Sequence, residues 1–264
     1  MKTEMSLQHA ARLALRCLDL TSLNDGDTAA DIDALCARAV GAADRGHVAA
    51  VCVWPRFVAQ ARAALPADIR VAAVANFPDG SLDLPRVLAE IDAIAQAGAQ
   101  EVDVVLPYKA LMAGQSTEVG EFLAEVRHAT RPLTLKVIIE SGELGSTARI
   151  AEATRQALMA GADFVKTSTG KSPVSATPAA AATMLREIAG SGLGNAGFKA
   201  SGGIRSVADA TAYLQLAAEH LGEGALTPQR LRFGASGLLG DIEAVLAGEG
   251  SVAAGADNAA NAAY

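Results

Sequence analysis

Cysteine and histidine are scarce in this sequence, whose 264 residues include three cysteines and four histidines. The cysteines, Cys17, Cys36 and Cys52, form no CxxC pair. Such usage is typical of reduced thiols in a cytosolic protein. The histidines are scattered, with no HExxH motif and no Cys/His cluster, so the sequence predicts no metal site. Cys52 lies in an apolar run and is predicted to be a small core residue rather than a nucleophile.

Basic residues and long apolar runs are scarce as well. Lys and Arg number 22 against 29 Asp and Glu, which gives a net charge of -7 and a pI near 5.1. This acidic balance argues against nucleic acid or an anionic membrane as a partner. No run approaches the roughly 18 apolar residues of a membrane span, and charges interrupt the N-terminal segment, unlike a signal peptide. We therefore expect a soluble, cytoplasmic protein that captures any anionic substrate through a few locally placed groups.

Hydrophobic residues, in contrast, make up 51% of the chain, enough for a large core and too many for a disordered protein. Short apolar runs predict eight strands, at 17–21, 48–54, 69–77, 101–107, 134–140, 163–169, 197–201 and 231–236. The segments between them are rich in Ala, Leu, Glu and Arg, which favour helix. The predicted helices include 28–44, 82–97, 116–130, 147–160, 176–190 and 206–219.

The alternation of strands and helices predicts an α/β fold with a parallel sheet. Spreading 264 residues over eight strands gives 33 residues per unit, which suits a (β/α)8 TIM barrel of ~250 residues. A doubly wound open sheet is the alternative, but its GxGxxG signature is missing. We expect one barrel domain over residues 1–248, with an extra N-terminal helix. Residues 249–264 lose their large aliphatics and are predicted to form a flexible tail.

An internal repeat relates two of the predicted strands. The segment 98–103, GAQEVD, resembles the segment 161–166, GADFVK, 63 residues later, or about two units. These are strands four and six, and alternate barrel strands supply side chains to the same interior layer. The repeat therefore predicts that Asp103 and Lys166 lie close together. The alternative is that a Gly-Ala helix end precedes strands in many α/β proteins.

Lysines and one carboxylate on these strands are the candidates for chemistry. Lys166 is predicted near the C-terminal end of an inward strand face, where desolvation lowers a lysine's pKa and yields an amine that attacks carbonyls. Lys199 falls one unit later, so its charge would lower that pKa further. Asp103 could position both lysines and relay protons, whereas Lys136 could support the charges and Lys171 could contact a ligand. The alternatives are buried ion pairs without a catalytic task and, for Lys199, a side chain that reaches solvent.

Glycine-rich turns follow the last two predicted strands. Gly202-Gly203-Ile204-Arg205 follows strand seven, and Gly234-Ala235-Ser236-Gly237 follows strand eight and leads into a helix. Backbone N–H groups of such turns converge on anions, and in barrels these two loops are the frequent phosphate site. Gly170, after strand six, could complete the site. A glycine pair on its own often marks only a tight turn.

Several motifs together resemble the deoxyribose-phosphate aldolase family, in register from about residue 10 to 245. They include LDLTSLN (18–24), VCVWPRF (51–57), NFPDG (76–80), EVDVVLPY (101–108), KVIIESGEL (136–144), DFVKTSTGK (163–171), GFKASGGIR (197–205) and RFGASGLL (232–239). The resemblance implies a class I aldolase of deoxyribonucleoside catabolism. Such an enzyme reversibly cleaves 2-deoxy-D-ribose 5-phosphate into D-glyceraldehyde 3-phosphate and acetaldehyde, without metal or organic cofactor. A homodimer is also implied.

The resemblance further implies roles for individual residues. Lys166 would form the Schiff base, with Lys199 beside it and Asp103 as the proton relay. Asp19 would be a polar pocket residue and Thr169 a hydroxyl near the substrate. The phosphate would meet Gly170, Gly202, Gly203, Arg205, Gly234 and Ser236.

Two positions depart from the family motifs, and the last residue of the sequence matches the family. Ala200 and Gly237 stand where better-known bacterial members have proline and serine, and Gly237 keeps only its backbone N–H for phosphate. Tyr264 ends the chain, as tyrosine does in similar enzymes. We hypothesise that its phenol reaches the pocket and assists proton transfer, the alternative being an unused terminal residue.

Two other functions fit the same residues. One is a barrel isomerase that binds a sugar phosphate without covalent chemistry and uses Asp103 as its base. The other is a non-catalytic relative that binds phosphosugars, although such proteins have normally lost a reactive residue and this sequence keeps Lys166, Lys199 and Asp103.

Overall fold

The eight predicted strands form one closed parallel barrel in the computed structural model, which describes residues 5–42 and 44–251. The strands are β1 (Leu18–Thr21), β2 (Ala50–Val53), β3 (Arg70–Ala75), β4 (Glu101–Val105), β5 (Thr134–Ile138), β6 (Phe164–Lys166), β7 (Gly197–Ser201) and β8 (Leu231–Ala235). They follow one another in chain order around the barrel, and β8 closes it by pairing with β1. The predicted TIM barrel is therefore confirmed, and the open sheet is wrong.

Helices connect the strands and surround the barrel. They are α1 (Leu7–Arg16), α2 (Ala29–Val40), α3 (Val58–Ala64), α4 (Leu84–Gln96), α5 (Tyr108–Met112), α6 (Ser116–Ala129), α7 (Ser141–Leu144), α8 (Thr147–Met159), α9 (Pro178–Gly190), α10 (Val207–Leu221) and α11 (Leu238–Leu246). The extra N-terminal helix α1 is confirmed and packs against α10 and α11. In the described ranges, no helix combines the length and the hydropathy that crossing a bilayer demands.

The strands place alternate side chains on opposite faces, which separates two kinds of residue. On β4, Val102 and Val104 belong to the large core beneath the helices, whereas Glu101 and Asp103 are buried among polar groups. On β7, Phe198 and Ala200 pack in that same core. The interior of the barrel is thereby left to the charged side chains of these strands.

Some boundaries differ from the predicted ones for identifiable reasons. Helix α2 begins after a capping box between Thr28 and Asp31 and ends before Gly41, whose φ is 65°, so it stops short of residue 44.

Strand β6 ends at Lys166 rather than at the predicted residue 169. Beyond it, the backbone N–H of Thr169 donates to the Glu140 side chain instead of a strand carbonyl. The short helices α3, α5 and α7 have too few turns to give a periodic pattern.

The described chain continues a few residues past α11. The Ser251 hydroxyl donates a 2.6 Å hydrogen bond to Asp241 Oδ2 and so ties this segment to α11. The predicted tail from residue 252 onward, with Tyr264, lies outside the described residues. The domain boundary at residue 248 therefore stays a prediction.

Candidate active site

Seven ionisable side chains meet inside the barrel, and none is more than 6% exposed. They are Asp19 on β1, Glu101 and Asp103 on β4, Lys136 on β5, Lys166 on β6, Lys199 on β7 and Arg232 on β8. The strand register aligns Asp103 with Lys136 and Lys166 with Lys199. Because these strands also place the seven side chains on the inward face, residues far apart in sequence become neighbours.

Asp103 lies at the centre of this charged layer. Its Oδ2 accepts hydrogen bonds from Lys166 Nζ and from Lys199 Nζ, both at 2.8 Å. Its Oδ1 accepts from Lys136 Nζ at 2.9 Å. The predicted proximity of Asp103 and Lys166 is confirmed, as is the inward direction of Lys136. The alternative that Lys199 reaches solvent is wrong, since this residue is fully buried.

The two lysines that share Asp103 Oδ2 have different surroundings. Lys199 also donates to Asp19 Oδ2 at 2.5 Å. Among the described ion pairs, Lys166 pairs only with Asp103. Burial lowers the pKa of Lys166, and the Lys199 charge adds to this effect. Burial acts on Lys199 in the same direction, but Asp103 and Asp19 outweigh it and raise the pKa of Lys199. Lys166 is therefore the lysine that gives up its proton more readily.

A second set of contacts lies next to Asp103 and was not singled out from the sequence. Glu101 pairs with Lys136 at 2.5 Å and with Arg232 at 2.9 Å, and Arg232 pairs with Asp19 Oδ1 at 2.5 Å. Burial favours the neutral form of Glu101, but Lys136 and Arg232 prevail and its pKa is lowered. The signal for Glu101 was available, because it lies two residues before Asp103 and so on the same strand face.

The composition of this layer bears on the protonation of Lys166. Four cations and three carboxylates leave one positive charge in excess when all seven groups are ionised. A buried, uncompensated charge is costly. Loss of one proton brings the layer to neutrality, and the local contacts select Lys166 as the lysine that loses it.

Three loops meet at the C-terminal ends of β6, β7 and β8. The Gly202 N–H donates to the Gly234 carbonyl at 3.3 Å, and a Cβ on Gly202 would lie 3.3 Å from Gly170 Cα. Gly202 has a φ of 84°, and the same Cβ would come within 2.5 Å of Ser175 Oγ, so only glycine fits here. The structure thus brings together the glycines that were predicted to bind phosphate.

The remaining predicted ligand contacts lie around these loops. Arg205 and Ser236 are exposed, the latter just before α11. Lys171 extends across the barrel opening, where its Nζ donates to the carbonyl of Leu23 at 2.8 Å.

Asp19 lies deeper in the barrel than a residue of the substrate pocket would, because its two carboxylate oxygens contact Lys199 and Arg232. Its role in binding the substrate stays a prediction.

An apolar cluster forms another part of the barrel interior. Its buried members are Leu23, Cys52, Ala72 and Val74, and the partly buried rings of Trp54 and Phe77 pack against them. The two rings meet edge to face with their centroids 5.5 Å apart. Burial raises the pKa of Cys52, with Asp103 adding to the effect, which fits the prediction that this cysteine is a core residue.

Comparison with known proteins identifies the family. Residues 13–239 match the DeoC/LacD family of aldolases. The chain belongs to this family. A deoxyribose-phosphate aldolase of Agrobacterium fabrum is 49% identical over 244 residues, which cover 91% of this chain and 93% of the relative. The predicted resemblance and the enzyme class, a carbon–carbon lyase, are confirmed.

Solved structures agree with this family assignment. A protein of Toxoplasma gondii ME49 superposes with a TM-score of 0.82 at 25% identity, covering 91% of this chain and 95% of that one. The deoxyribose phosphate aldolase of Aeropyrum pernix, a tetramer, gives a TM-score of 0.70 at 25% identity over 91% of this chain and 92% of its own. In both comparisons the match extends over the barrel as a whole.

Proposed function

We propose that this DeoC/LacD family aldolase reversibly cleaves 2-deoxy-D-ribose 5-phosphate into D-glyceraldehyde 3-phosphate and acetaldehyde, through a Schiff base on Lys166. The observation that carries this proposal is the asymmetric pair of lysines on one carboxylate oxygen, with Lys166 the more readily deprotonated. Amine attack requires the neutral form, and a neighbouring ammonium is one device that produces it.

The reaction begins at the aldehyde of the open-chain sugar. Lys166 Nζ adds to C1, and loss of water gives an iminium. The C2–C3 electron pair then moves toward the iminium nitrogen as the C3 hydroxyl loses its proton, which releases D-glyceraldehyde 3-phosphate. The remaining enamine takes a proton at C2, and water hydrolyses the new iminium to acetaldehyde and free lysine. Because the iminium is itself the electron sink, the proposed reaction requires neither a metal nor an organic cofactor.

Asp103 and Lys199 move the protons in this scheme. Asp103 Oδ2 lies 2.8 Å from both lysine nitrogens, so it can pass protons between Lys166 and bound water. Lys199 keeps its charge and lowers the pKa of Lys166. Tyr264 would be a further proton donor.

The substrate phosphate would bind where the loops after β6, β7 and β8 meet. The residues proposed to contact it are Gly170, Lys171, Gly202, Gly203, Arg205, Gly234 and Ser236, while Thr169 would contact a sugar hydroxyl. Backbone N–H groups and the N-terminus of α11 attract an anion despite the net charge of -7. Ala200 is buried in the core beneath the helices, and Gly237 keeps its backbone N–H. These two differences from the better-known bacterial members would affect the affinity for phosphate rather than the type of reaction.

Cellular location and assembly complete the proposal. We place the enzyme in the cytoplasm, in the breakdown of deoxyribonucleosides, as a homodimer. Sedimentation of the purified protein tests the assembly, because a tetramer or a monomer would contradict it.

Borohydride trapping tests the covalent mechanism. Reduction in the presence of acetaldehyde should add one ethyl group to the protein, and peptide mapping should locate it on Lys166. Lys166→Arg keeps a positive charge but cannot form the imine, so it should give no adduct. Lys109→Arg, on the exposed surface of α5, is the matched control and should be labelled like the wild type. An adduct on Lys199, or none at all, would refute the mechanism.

A further inference from the structure

Glu140 is a buried carboxylate that the proposed mechanism does not use. It follows β5 directly, is 2% exposed, and has φ 51° and ψ 59°, in the left-handed region. A non-glycine residue in that region is uncommon and costs free energy. Such a conformation persists where the surrounding structure fixes the residue.

The Glu140 carboxylate binds one loop, residues 169–172, which follows β6. Its Oε2 accepts a 2.5 Å hydrogen bond from Thr169 Oγ1, and both of its oxygens lie 3.3 Å from the Thr169 backbone nitrogen. Its Oε1 accepts a further hydrogen bond, of 3.0 Å, from Ser172 Oγ. One carboxylate therefore contacts both ends of the loop that carries Thr169, Gly170 and Lys171.

The hydrogen bonds continue from Thr169 to the opposite side of the barrel opening. Thr169 Oγ1 accepts from the backbone N–H of Lys171 at 3.0 Å, and Lys171 Nζ reaches the Leu23 carbonyl after β1. The path of the loop, and with it the direction of Lys171, thus depends on Thr169, which Glu140 holds.

The segment around Glu140 is itself packed against the β6 loop. The Ser141 N–H donates to the Thr167 carbonyl at 2.8 Å. A Cβ on Gly142 would lie 2.0 Å from the Val174 carbonyl oxygen, so the two backbones are in direct contact. Glu140 is therefore fixed from its own side and acts on the loop from a rigid support.

The electrostatics of Glu140 are consistent with these contacts. Burial raises its pKa, whereas the donors of Thr169 and Ser172 and the charge of Lys166 oppose that rise. Removing the charged acceptor would leave three loop donors without their best partner, and such losses are costly in a buried site.

We propose, on the basis of the function proposed above, that Glu140 is a positioning residue that holds loop 169–172 in place to bind the phosphosugar. Thr169 meets a hydroxyl of the substrate and Lys171 meets its phosphate. Glu140 contacts neither the substrate nor Lys166 and acts through Thr169 and Ser172.

Glu140→Gln tests this proposal, because it keeps the shape and the backbone conformation but loses the charge. We expect KM for 2-deoxyribose 5-phosphate to rise about tenfold, the equivalent of one hydrogen bond to a charged group, with a smaller change in kcat. The rate of borohydride trapping with acetaldehyde should not fall, since acetaldehyde has neither hydroxyl nor phosphate. Glu143→Gln, which alters an exposed carboxylate three residues away, is the matched control and should leave both measurements unchanged.

A double-mutant cycle separates positioning from a merely structural role. Thr169→Val removes the hydroxyl through which Glu140 acts, so the double variant should have a KM close to that of the worse single variant. Additive effects, an unchanged KM, or an equal loss of acetaldehyde trapping in Glu140→Gln would overturn the proposal. Should Glu140→Gln fail to fold, Thr169→Val and Ser172→Ala remove the same contacts from the loop side. An unchanged KM in both would overturn it equally.

Acetaldehyde trapping of the wild-type enzyme distinguishes a failure of the proposed function from a failure of the proposed role of Glu140. If it forms no adduct with acetaldehyde on Lys166, the proposed function fails, and the role of Glu140 fails with it. If the wild type is trapped on Lys166 but Glu140→Gln keeps the wild-type KM, only the role of Glu140 is refuted.

Discussion

Lys166 and Lys199 donate to the same oxygen of Asp103 and yet differ in their tendency to lose a proton. The difference arises from Asp19, which contacts Lys199 at 2.5 Å and stabilises its charge. The pKa values of two chemically identical side chains thus shift in opposite directions because of one additional carboxylate. The sequence predicted the pair, but not the contact that distinguishes its members.

Replacing Lys199 by methionine should make Lys166 harder to deprotonate. Removal of the neighbouring positive charge raises the pKa of Lys166, so more alkaline solution is needed to reach the neutral amine. The acid limb of the trapping rate with acetaldehyde should move up by about one pH unit. Lys109→Met, on the surface, should leave the profile unchanged. An acid limb that stays in place in Lys199→Met would contradict the proposed influence of its charge.

Gly202→Ala should weaken substrate binding more than Gly203→Ala does. Both positions have positive φ, at 84° and 79°, and so carry a similar backbone cost for alanine. Only at Gly202 would the new methyl group meet Ser175 Oγ, at 2.5 Å, since nothing in the described chain lies within 4 Å of a Cβ at Gly203. KM for 2-deoxyribose 5-phosphate measures the difference. Adding Ser175→Gly should partly restore Gly202→Ala, and equal KM values for the two alanine variants would refute the steric explanation.

Individual helices and strands were predictable to different degrees. Runs of alternating or continuous apolar residues located every strand, because strand side chains repeat every second residue. The short helix α7 was not predicted, since it begins after the left-handed Glu140 and has four residues. Its position depends on contacts with the β6 loop, which local sequence does not encode.

Thr28→Ala should destabilise α2 without affecting catalysis. Thr28 and Asp31 form a capping box at the start of this helix, with a 2.8 Å hydrogen bond from the Thr28 N–H to Asp31 Oδ2. Loss of the cap should lower the free energy of unfolding by about 1 kcal/mol, as measured by urea titration, with kcat and KM unchanged. Thr117→Ala, in the first turn of α6 and exposed, is the control. Equal stability of Thr28→Ala and the wild type would show that the box contributes nothing.

At the scale of the whole molecule, closure of the barrel assembles the charged layer. Arg232 and Glu101 are 131 residues apart in sequence, and Arg232 and Asp19 are 213 apart, yet both pairs are in contact. The sequence indicated that Asp103, Lys166 and Lys199 face inward, because they interrupt apolar runs, but it did not single out Glu101 or Arg232. It could not indicate the pairing, which depends on the register between β8 and β1 and on the width of the barrel.

The charged layer should govern the stability of the fold in acid. The pKa of Asp19 is lowered in the folded protein, where Arg232 and Lys199 outweigh the effect of burial. Its contribution is therefore complete above the pKa of an unfolded aspartate, about 3.9, and is lost as the pH falls from there toward the lower folded value. Asp19→Asn should cost about 3–5 kcal/mol at pH 7, because it takes one carboxylate partner from each of two buried cations, Lys199 and Arg232.

The decisive measurement is how the stability lost in Asp19→Asn depends on pH. The difference in free energy of unfolding between wild type and Asp19→Asn should narrow as the pH drops below about 4, since the wild-type carboxylate is then being protonated. Asp25→Asn, at an exposed position, should differ little from the wild type at any pH. A difference that stays constant down to acid pH would show that Asp19 does not stabilise the fold through its charge.

The apolar cluster of Leu23, Cys52, Ala72 and Val74 has a practical consequence for protein engineering. Neutralising a carboxylate of the charged layer adds to its excess of buried positive charge, which is strongly destabilising. Volume-conserving replacements among hydrophobic residues carry a much smaller penalty. Libraries aimed at the barrel interior should therefore vary Leu23 and Val74 and keep the ionic residues constant.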